Sequence, residues 1–162
     1  MLFFLFLLFS IFPVMETIIF CGIQATGKST FYQQHFFHSH LRISLDLFKT
    51  RHREDLFLEA CCKSQLPFVV DNTNPGKADR QKYIQLAKQH KFRTIGYYFQ
   101  SRIEEALLRN SQRSGKACIP EIGIRGAFKK LELPSPDEGF DELYYVTIED
   151  NNFVIKPWTN EI

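Results

Sequence analysis

Residues 22–29 combine glycine, lysine and serine at a spacing that can bind phosphate. They read G-I-Q-A-T-G-K-S and directly follow the apolar run 17–21. The glycines let backbone N–H groups turn toward an anion, and a helix that begins here directs its positive end at it. Lys28 can then reach the β- and γ-phosphates, and the Ser29 hydroxyl can ligate Mg²⁺. The pattern predicts binding of a nucleoside triphosphate, ATP or GTP, through nine consecutive residues: Gly22, Ile23, Gln24, Ala25, Thr26, Gly27, Lys28, Ser29 and Thr30.

Asp46 directly follows a second apolar run, residues 41–45. Open parallel sheets bind ligands at the carboxyl ends of their strands, so Asp46 is expected beside the phosphate loop. A carboxylate there could take the proton of an alcohol that attacks the γ-phosphate, and a positioned base contributes about 10²–10⁴-fold in rate. The same aspartate could instead cap the next helix. The residue alone does not distinguish the two roles.

A second aspartate, Asp71, ends the apolar run 67–71 and opens the sequence D-N-T-N-P. An apolar strand that ends in aspartate is the usual form of the Walker B element, whose carboxylate supports the Mg²⁺ environment or orients a neighbouring cation. The same five residues also favour a tight turn. Both interpretations hold together, because the turn would carry the carboxylate to the rim of the sheet.

Arg109 and Arg113 lie four positions apart in a predicted helix, 103–113, and would share one of its faces. Two guanidinium groups suit the equatorial oxygens of a phosphoryl group in transfer, where one arginine can be worth about 10³–10⁵ in rate. The alternative is an exposed cationic helix end that complements the helix dipole.

No pattern in the sequence predicts a dedicated metal centre. His35, His38 and His40 lack acidic or cysteine ligands at the spacing of a zinc site. The four cysteines include the adjacent pair 61–62, which cannot easily bridge, and we expect reduced, mostly buried thiols. Ser29 is therefore the predicted metal ligand, as part of the Mg²⁺ environment.

The length of 162 residues fits one domain, and the net charge of +2 is too small to argue for nucleic acid by itself. Residues 1–14 are apolar and uncharged. The segment is shorter than a membrane span, which needs about 20 residues, and it lacks the basic start of a signal peptide. We expect them to lie outside the domain, with Met15 as the natural start; a short membrane or partner anchor is the alternative. The domain is expected over residues 15–155, followed by a tail, 156–162.

Apolar strand-like runs alternate with helical patterns along the chain, which predicts an α/β fold with a mostly parallel sheet. With the phosphate loop, this indicates a P-loop NTPase three-layer sandwich with a helical lid. The predicted strands are 17–21, 41–45, 67–71, 93–99 and 144–148. The predicted helices are 29–37, 53–63, 77–90, 103–113 and 120–130.

Together these motifs resemble the kinase domain of the polynucleotide 5′-kinase family, from about residue 16 to residue 148. The segments that carry the resemblance are the phosphate loop 22–29, an acceptor motif 46–49, the element 71–75, a lid 109–113 and a closing segment 125–141. The phosphatase signature D-x-D-x-T of the bifunctional members is absent from this sequence.

The resemblance implies a role for each matched residue. Lys28 and Ser29 would hold ATP and Mg²⁺, Asp46 would be the general base, and Arg113 would contact the ATP phosphates with Arg109 in support. The acceptor would be bound by Lys49, Asp71 and Asn74. Lys49 stands where the family usually has arginine, and an ammonium group cannot clamp a phosphate bidentately.

We therefore expect a cytoplasmic, ATP- and Mg²⁺-dependent kinase that transfers the γ-phosphate to a hydroxyl, with a polynucleotide 5′-hydroxyl end as the favoured acceptor. A kinase of small alcohols would use the same chemistry and is the nearest alternative. A nucleotide-binding regulatory module or simple ATPase, in which no hydroxyl acceptor exists, is the alternative from another class.

Overall fold

The computed structural model describes residues 15–159, so the apolar leader 1–14 and residues 160–162 lie outside it. The six strands are β1 Glu16–Cys21, β2 Leu41–Ile43, β3 Phe68–Val70, β4 Arg93–Phe99, β5 Glu142–Glu149 and β6 Asn152–Pro157. The six helices are α1 Lys28–His35, α2 Leu45–Phe48, α3 Arg51–Ser64, α4 Lys77–Gln89, α5 Ile103–Ser111 and α6 Glu121–Lys129.

One sheet orders the strands β2-β3-β1-β4-β5-β6. The first five strands are parallel, and β6 pairs antiparallel with β5. The mostly parallel sheet predicted from the sequence is thus confirmed. The strand β1, which precedes the phosphate loop, lies between β3 and β4, so its carboxyl end opens at the middle of the sheet's rim.

The central strand β1 supplies side chains to both faces of the sheet, because successive residues of a strand point in opposite directions. Ile19 packs with the residues of α3 and α4, including Leu58 and Ile84. Ile18 and Phe20 pack on the other face, against Phe31 of α1. Burial on both faces explains why β1 reads as a continuous apolar run, and it gives the three layers.

A third apolar cluster joins the phosphate loop to the lid. Ile23 and Ala25 of the loop pack against Ala106 of α5 and Ile124 of α6. The two lid helices therefore rest directly on the loop.

The strands β2 and β6 differ from the sequence predictions. The strand expected over 41–45 ends at Ile43, because residues 45–48 form the one-turn helix α2. The edge strand β6 was not predicted, and it runs two residues beyond the expected domain end at residue 155. Asp150 and Asn151 connect β5 to β6 with φ of 49° and 62°, the geometry of a type I′ hairpin turn. This turn lacks the usual glycine, so its local signal is weak.

Candidate active site

The phosphate loop bends where two glycines take positive φ. Gly22 has φ 142° and Gly27 has φ 92°, in regions that side chains with a Cβ rarely adopt. The N–H of Gly22 donates to Thr73 O at 3.0 Å, which ties the loop to the segment after β3. A Cβ on Gly27 would lie 3.0 Å from Phe153 of β6. The glycines of the pattern are thus required by backbone geometry and by packing.

Lys28 is buried at the start of α1 and turns back over the loop. Its Nζ donates to Gly22 O at 2.9 Å and to Ile23 O. Burial lowers the pKa of Lys28 from 10.5 to about 8, although the Asp71 carboxylate opposes this shift. The Lys28 ammonium group is poorly hydrated because it is buried, and it lies in the loop where a phosphate would bind.

Ser29, Asp71 and Arg42 form one cluster at the rim of the sheet. Ser29 Oγ donates to Asp71 Oδ2 at 2.9 Å, and Arg42 Nε donates to the same oxygen at 2.8 Å. Arg42 Nη2 also donates to Ser29 Oγ at 2.9 Å. A hydroxyl and a carboxylate at this separation are the hard oxygen donors that Mg²⁺ prefers, so the residues fit that ion.

Sequence reasoning missed Arg42. It lies in β2, and β2 pairs with β3, the strand that Asp71 directly follows. The sequence signal for Arg42 is a charged residue inside a strand-like run. Its partner Asp71 could be identified only from the pairing of β2 with β3.

A pocket of about 450 Å³ gathers the predicted residues from separate parts of the chain. The predicted site residues that line it are Gln24, Ala25, Gly27, Lys28, Ser29, Thr30, Asp46, Asp71, Asn74 and Arg113. Gly22, Ile23 and Thr26 shape the loop behind this surface. The Thr26 hydroxyl donates to Ile23 O at 2.9 Å, which stabilises the turn of the loop.

Asp46 is the second residue of α2, and its carboxylate is exposed at the pocket. The N-cap of α2 is Ser44, so Asp46 does not have the capping role that was its alternative. The predicted position on the phosphate-loop rim is the one observed.

Lys49 ends α2 with φ 67° and is exposed. Within the described part of the chain, the residues that line the pocket do not include Lys49, but they do include Arg51. Arg51 Nη1 donates to Glu54 Oε2 and to the Tyr83 hydroxyl, both at 2.8 Å. The cation on this side of the pocket is therefore Arg51, two residues beyond the predicted one. The backbone turn at Lys49 separates the two, and sequence spacing does not encode it.

Asn74 is buried, and its amide nitrogen donates to Phe20 O at 2.7 Å. The backbone carbonyl oxygen of Asn74 accepts a hydrogen bond from Arg80 Nη1 at 3.1 Å. Arg80 is itself fully buried and pairs with Glu138 at 2.6 Å. The side-chain amide of Asn74 thus braces the loop after β3 against β1. Asn74 also lines the pocket, and the substrate contact expected of it stays a prediction.

The two lid arginines have different surroundings. The helix α5 ends at Ser111, so Arg113 lies beyond it, and the prediction that both arginines share a helical face was wrong. The Asn110 side chain explains the early end: it bonds the backbone of Ile119 in both directions, at 2.7 and 2.9 Å, and closes the intervening loop. Arg113 lines the pocket. Arg109 instead donates to Ala25 O at 3.3 Å and to Glu105 at 2.7 Å.

The remaining candidates form no further site. Within residues 15–159, no group of three histidine, cysteine or acidic side chains is arranged to hold a metal ion. His40 contacts Glu16 at 3.1 Å and the Phe36 ring. All four cysteines are free, and Cys118 is the exposed one. None of the helices in the described part of the chain has the length and apolarity needed to cross a membrane.

Comparison with known proteins agrees with this geometry. Over 129 residues the chain is 26% identical to the bifunctional polynucleotide phosphatase/kinase of Schizosaccharomyces pombe, a match that covers 77% of this chain and 32% of that protein. The chain thus spans about a third of that relative's length. The resemblance seen in the sequence motifs is confirmed by this match.

Two solved structures share the fold. Kti12 of Chaetomium thermophilum, in complex with ADP-AlF3, superposes with a TM-score of 0.66 at 15% identity, over 83% of this chain and 90% of that one. A gluconokinase of Sinorhizobium meliloti 1021 gives a TM-score of 0.57 at 16% identity, over 84% of each chain. The P-loop kinase fold predicted from the sequence is confirmed. The sequence profile of the AAA domain matches residues 17–131, and the chain belongs to this family of P-loop domains.

Proposed function

We propose that this protein is a phosphotransferase that moves the γ-phosphoryl group of ATP to a hydroxyl, with a polynucleotide 5′-hydroxyl end as the favoured acceptor. The observation that carries the proposal is that Asp46 and Lys28 line one pocket, although they lie on different elements. A nucleotide-binding module has no need for an exposed carboxylate opposite the phosphate loop. A kinase does, because its acceptor must lose a proton.

The reaction balances with the groups at hand. The acceptor oxygen attacks the γ-phosphorus and forms the new P–O bond, and its proton passes to the Asp46 carboxylate. The bond from the γ-phosphorus to the β–γ bridging oxygen breaks, and ADP leaves with the electron pair. Lys28 and Arg113 offset the negative charge that develops on the phosphoryl oxygens. Ser29 and Asp71 would hold Mg²⁺, which would supply positive charge that offsets the charge of the phosphates.

Arg51 supports an anionic acceptor such as a nucleic acid end. Both of its contacts with the protein use Nη1; within residues 15–159 its Nε and Nη2 make no hydrogen bond and remain for a ligand. A guanidinium edge of this kind binds a phosphate bidentately. The match to the polynucleotide phosphatase/kinase supports the same acceptor class.

A small-molecule kinase is the second candidate. It is favoured by the fold shared with the gluconokinase and by a pocket of about 450 Å³, a size that suits a small metabolite.

The test is transfer of labelled phosphate from ATP to 5′-hydroxyl DNA and RNA oligonucleotides, and to sugar acids and other small alcohols. We expect transfer to oligonucleotides, and a loss of about 10²–10⁴-fold in Asp46→Asn with ATP affinity retained. Asp150→Asn, an exposed change in the β5–β6 turn, is the matched control. Transfer to small alcohols alone would select the second candidate. ATP binding without transfer to any hydroxyl would make the protein a binding module or ATPase.

A further inference from the structure

The helix that carries Asp46 cannot hold itself in place. The helix α2 has four residues, Leu45–Phe48, and its N-cap Ser44 makes no capping bond with its side chain. Within residues 15–159, Ser44 Oγ is buried and has no hydrogen-bond partner. A single helical turn is unfavourable by itself, because nucleation fixes several residues for one hydrogen bond. The position of Asp46 must therefore depend on tertiary contacts.

Asn72 supplies such a contact. Its Oδ1 accepts a hydrogen bond of 2.9 Å from the N–H of Leu45, the residue directly before Asp46. This N–H is one of those that a helix cannot satisfy internally. Asn72 also directly follows Asp71, whose carboxylate accepts from Ser29. Two consecutive residues thus attach the acceptor side and the phosphate-loop side of the pocket to the end of the same strand.

A buried carboxylate fixes the orientation of the Asn72 amide. Glu54 is 0% exposed, and its Oε1 accepts from Asn72 Nδ2 at 2.9 Å and from the Tyr83 hydroxyl at 2.9 Å. An ionised carboxylate can only accept hydrogen bonds, so the amide must turn its nitrogen to Glu54 and its oxygen to Leu45.

Glu54 stays ionised because four groups donate to it, Asn72 and Tyr83 at Oε1 and two cations at Oε2. Its Oε2 accepts from Arg51 at 2.8 Å and from Lys82 at 3.1 Å. Burial by itself would raise the pKa of Glu54, but the hydrogen bonds from Arg51, Tyr83 and Lys82 hold that pKa below its ordinary value. The same carboxylate therefore orients Asn72 and restrains Arg51 at the pocket.

We propose that Asn72 is a positioning residue for Asp46, and that Glu54 orients it: the pair holds the base-bearing turn in register with the phosphate loop. This inference rests on the proposed function, in which Asp46 is the base. Neither Asn72 nor Glu54 needs to touch the reacting atoms. Loss of the hydrogen-bonding partner behind a metal ligand lowers activity by about 10–100-fold, and a misplacement of about 1 Å in an active site can lower the rate by about 10²-fold.

The first measurement is steady-state transfer by Asn72→Ala. We expect kcat to fall about 10–100-fold, with ATP affinity within about twofold of the wild type because the phosphate loop is unchanged. Gln89→Ala removes an exposed amide at the end of α4 and is the matched control. Unchanged kcat in Asn72→Ala would overturn the inference.

The second measurement distinguishes positioning from a general loss of stability. In an Asp46→Asn background, Asn72→Ala should cost no more than about twofold, because its effect passes through the base. Hydrogen exchange should accelerate at least about tenfold over residues 44–48 and stay unchanged in β1 and β4. Losses that multiply, or exchange that accelerates throughout the sheet, would show a merely structural residue.

Glu54→Gln gives an independent check on the orienting group. It should reproduce the kcat loss, and the double variant with Asn72→Ala should lose little more than either alone. A wild-type protein that transfers phosphate to no hydroxyl would overturn the proposed function and this inference with it. A wild type that transfers, with an Asn72→Ala variant that equals it, would overturn the inference alone.

Discussion

Ser29 Oγ donates a hydrogen bond of 2.9 Å to Asp71 Oδ2, although the two residues are 42 positions apart in the sequence. The contact joins the start of α1 to the end of β3. Arg42 bonds both partners and balances the buried carboxylate. The hydroxyl and the carboxylate are thus held side by side before any cation arrives, which lowers the cost of ordering them around one.

Asp71→Asn should weaken the apparent affinity for Mg²⁺. The change keeps the shape of the side chain but removes the negative charge that attracts the cation. We expect the Mg²⁺ concentration for half-maximal transfer to rise at least about tenfold, since 1.4 kcal/mol of lost attraction gives that factor. Removal of Mg²⁺ with a chelator should abolish transfer in every variant. Asp150→Asn is the charge-matched control. A Mg²⁺ titration curve of Asp71→Asn identical to that of the wild type would contradict the role of Asp71 at the Mg²⁺ site.

ATP binding should take up a proton near pH 9. Burial lowers the pKa of Lys28 to about 8, so at pH 9 most molecules of the free protein carry this side chain as a neutral amine. A bound phosphate favours the charged form and raises this pKa again. Above pH 8 the affinity for ATP should therefore fall as the pH rises, and the limiting slope should be about tenfold per pH unit.

Calorimetry in two buffers of different ionisation enthalpy measures the proton uptake directly. Lys28→Met should bind ATP more weakly and show no uptake from this residue. Binding to the wild type at pH 9 without proton uptake would contradict the low pKa of Lys28.

The two lid arginines should fail in different kinetic parameters. Arg113→Ala removes a cation that lines the pocket, so kcat should fall by about 10³-fold or more if the group stabilises the transition state. Arg109→Ala removes a contact to Ala25 O and a pair with Glu105, so the KM for ATP should rise with a smaller change in kcat. Steady-state kinetics measures kcat and KM for each arginine variant. Glu105→Gln weakens the pair with Arg109 and leaves Arg113 unchanged, so it tests the role of Arg109 alone. Equal loss of kcat in both arginine variants would show that they act as one unit.

Gly27→Ala should destabilise the fold as well as the phosphate loop. Its φ is 92°, and a Cβ would lie 3.0 Å from Phe153 and 3.1 Å from Ile148. We expect a loss of about 1–3 kcal/mol in the free energy of unfolding, from backbone strain and overpacking. The penalty should shrink in a Phe153→Ala background, because only the steric part depends on that ring.

Gly126→Ala is the control for Gly27→Ala in the same thermal unfolding experiment. Gly126 lies inside α6, and a Cβ there meets no atom within 4 Å. Alanine should stabilise this helix by up to about 1 kcal/mol. A Gly27→Ala protein that melts with the wild type would refute the packing of β6 on the loop.

The sequence by itself determined the features that depend on local chemistry. The phosphate loop needs glycine at fixed backbone positions, and a strand buried on both faces must read as an apolar run. These constraints account for the phosphate loop at positions 22–29, for the five parallel strands, and for the place of Asp46 and Asp71 at the rim of the sheet.

Tertiary structure alone decided which side chains meet. The pairing of β2 with β3 brings Arg42 to Asp71, the turn at Lys49 brings Arg51 to the pocket, and the Asn110 bonds end α5 before Arg113. The orientation of Asn72 by Glu54 depends on how α3 packs beside the end of β3. Such contacts join residues that are distant in sequence or separated by an irregular turn, and no local periodicity records them.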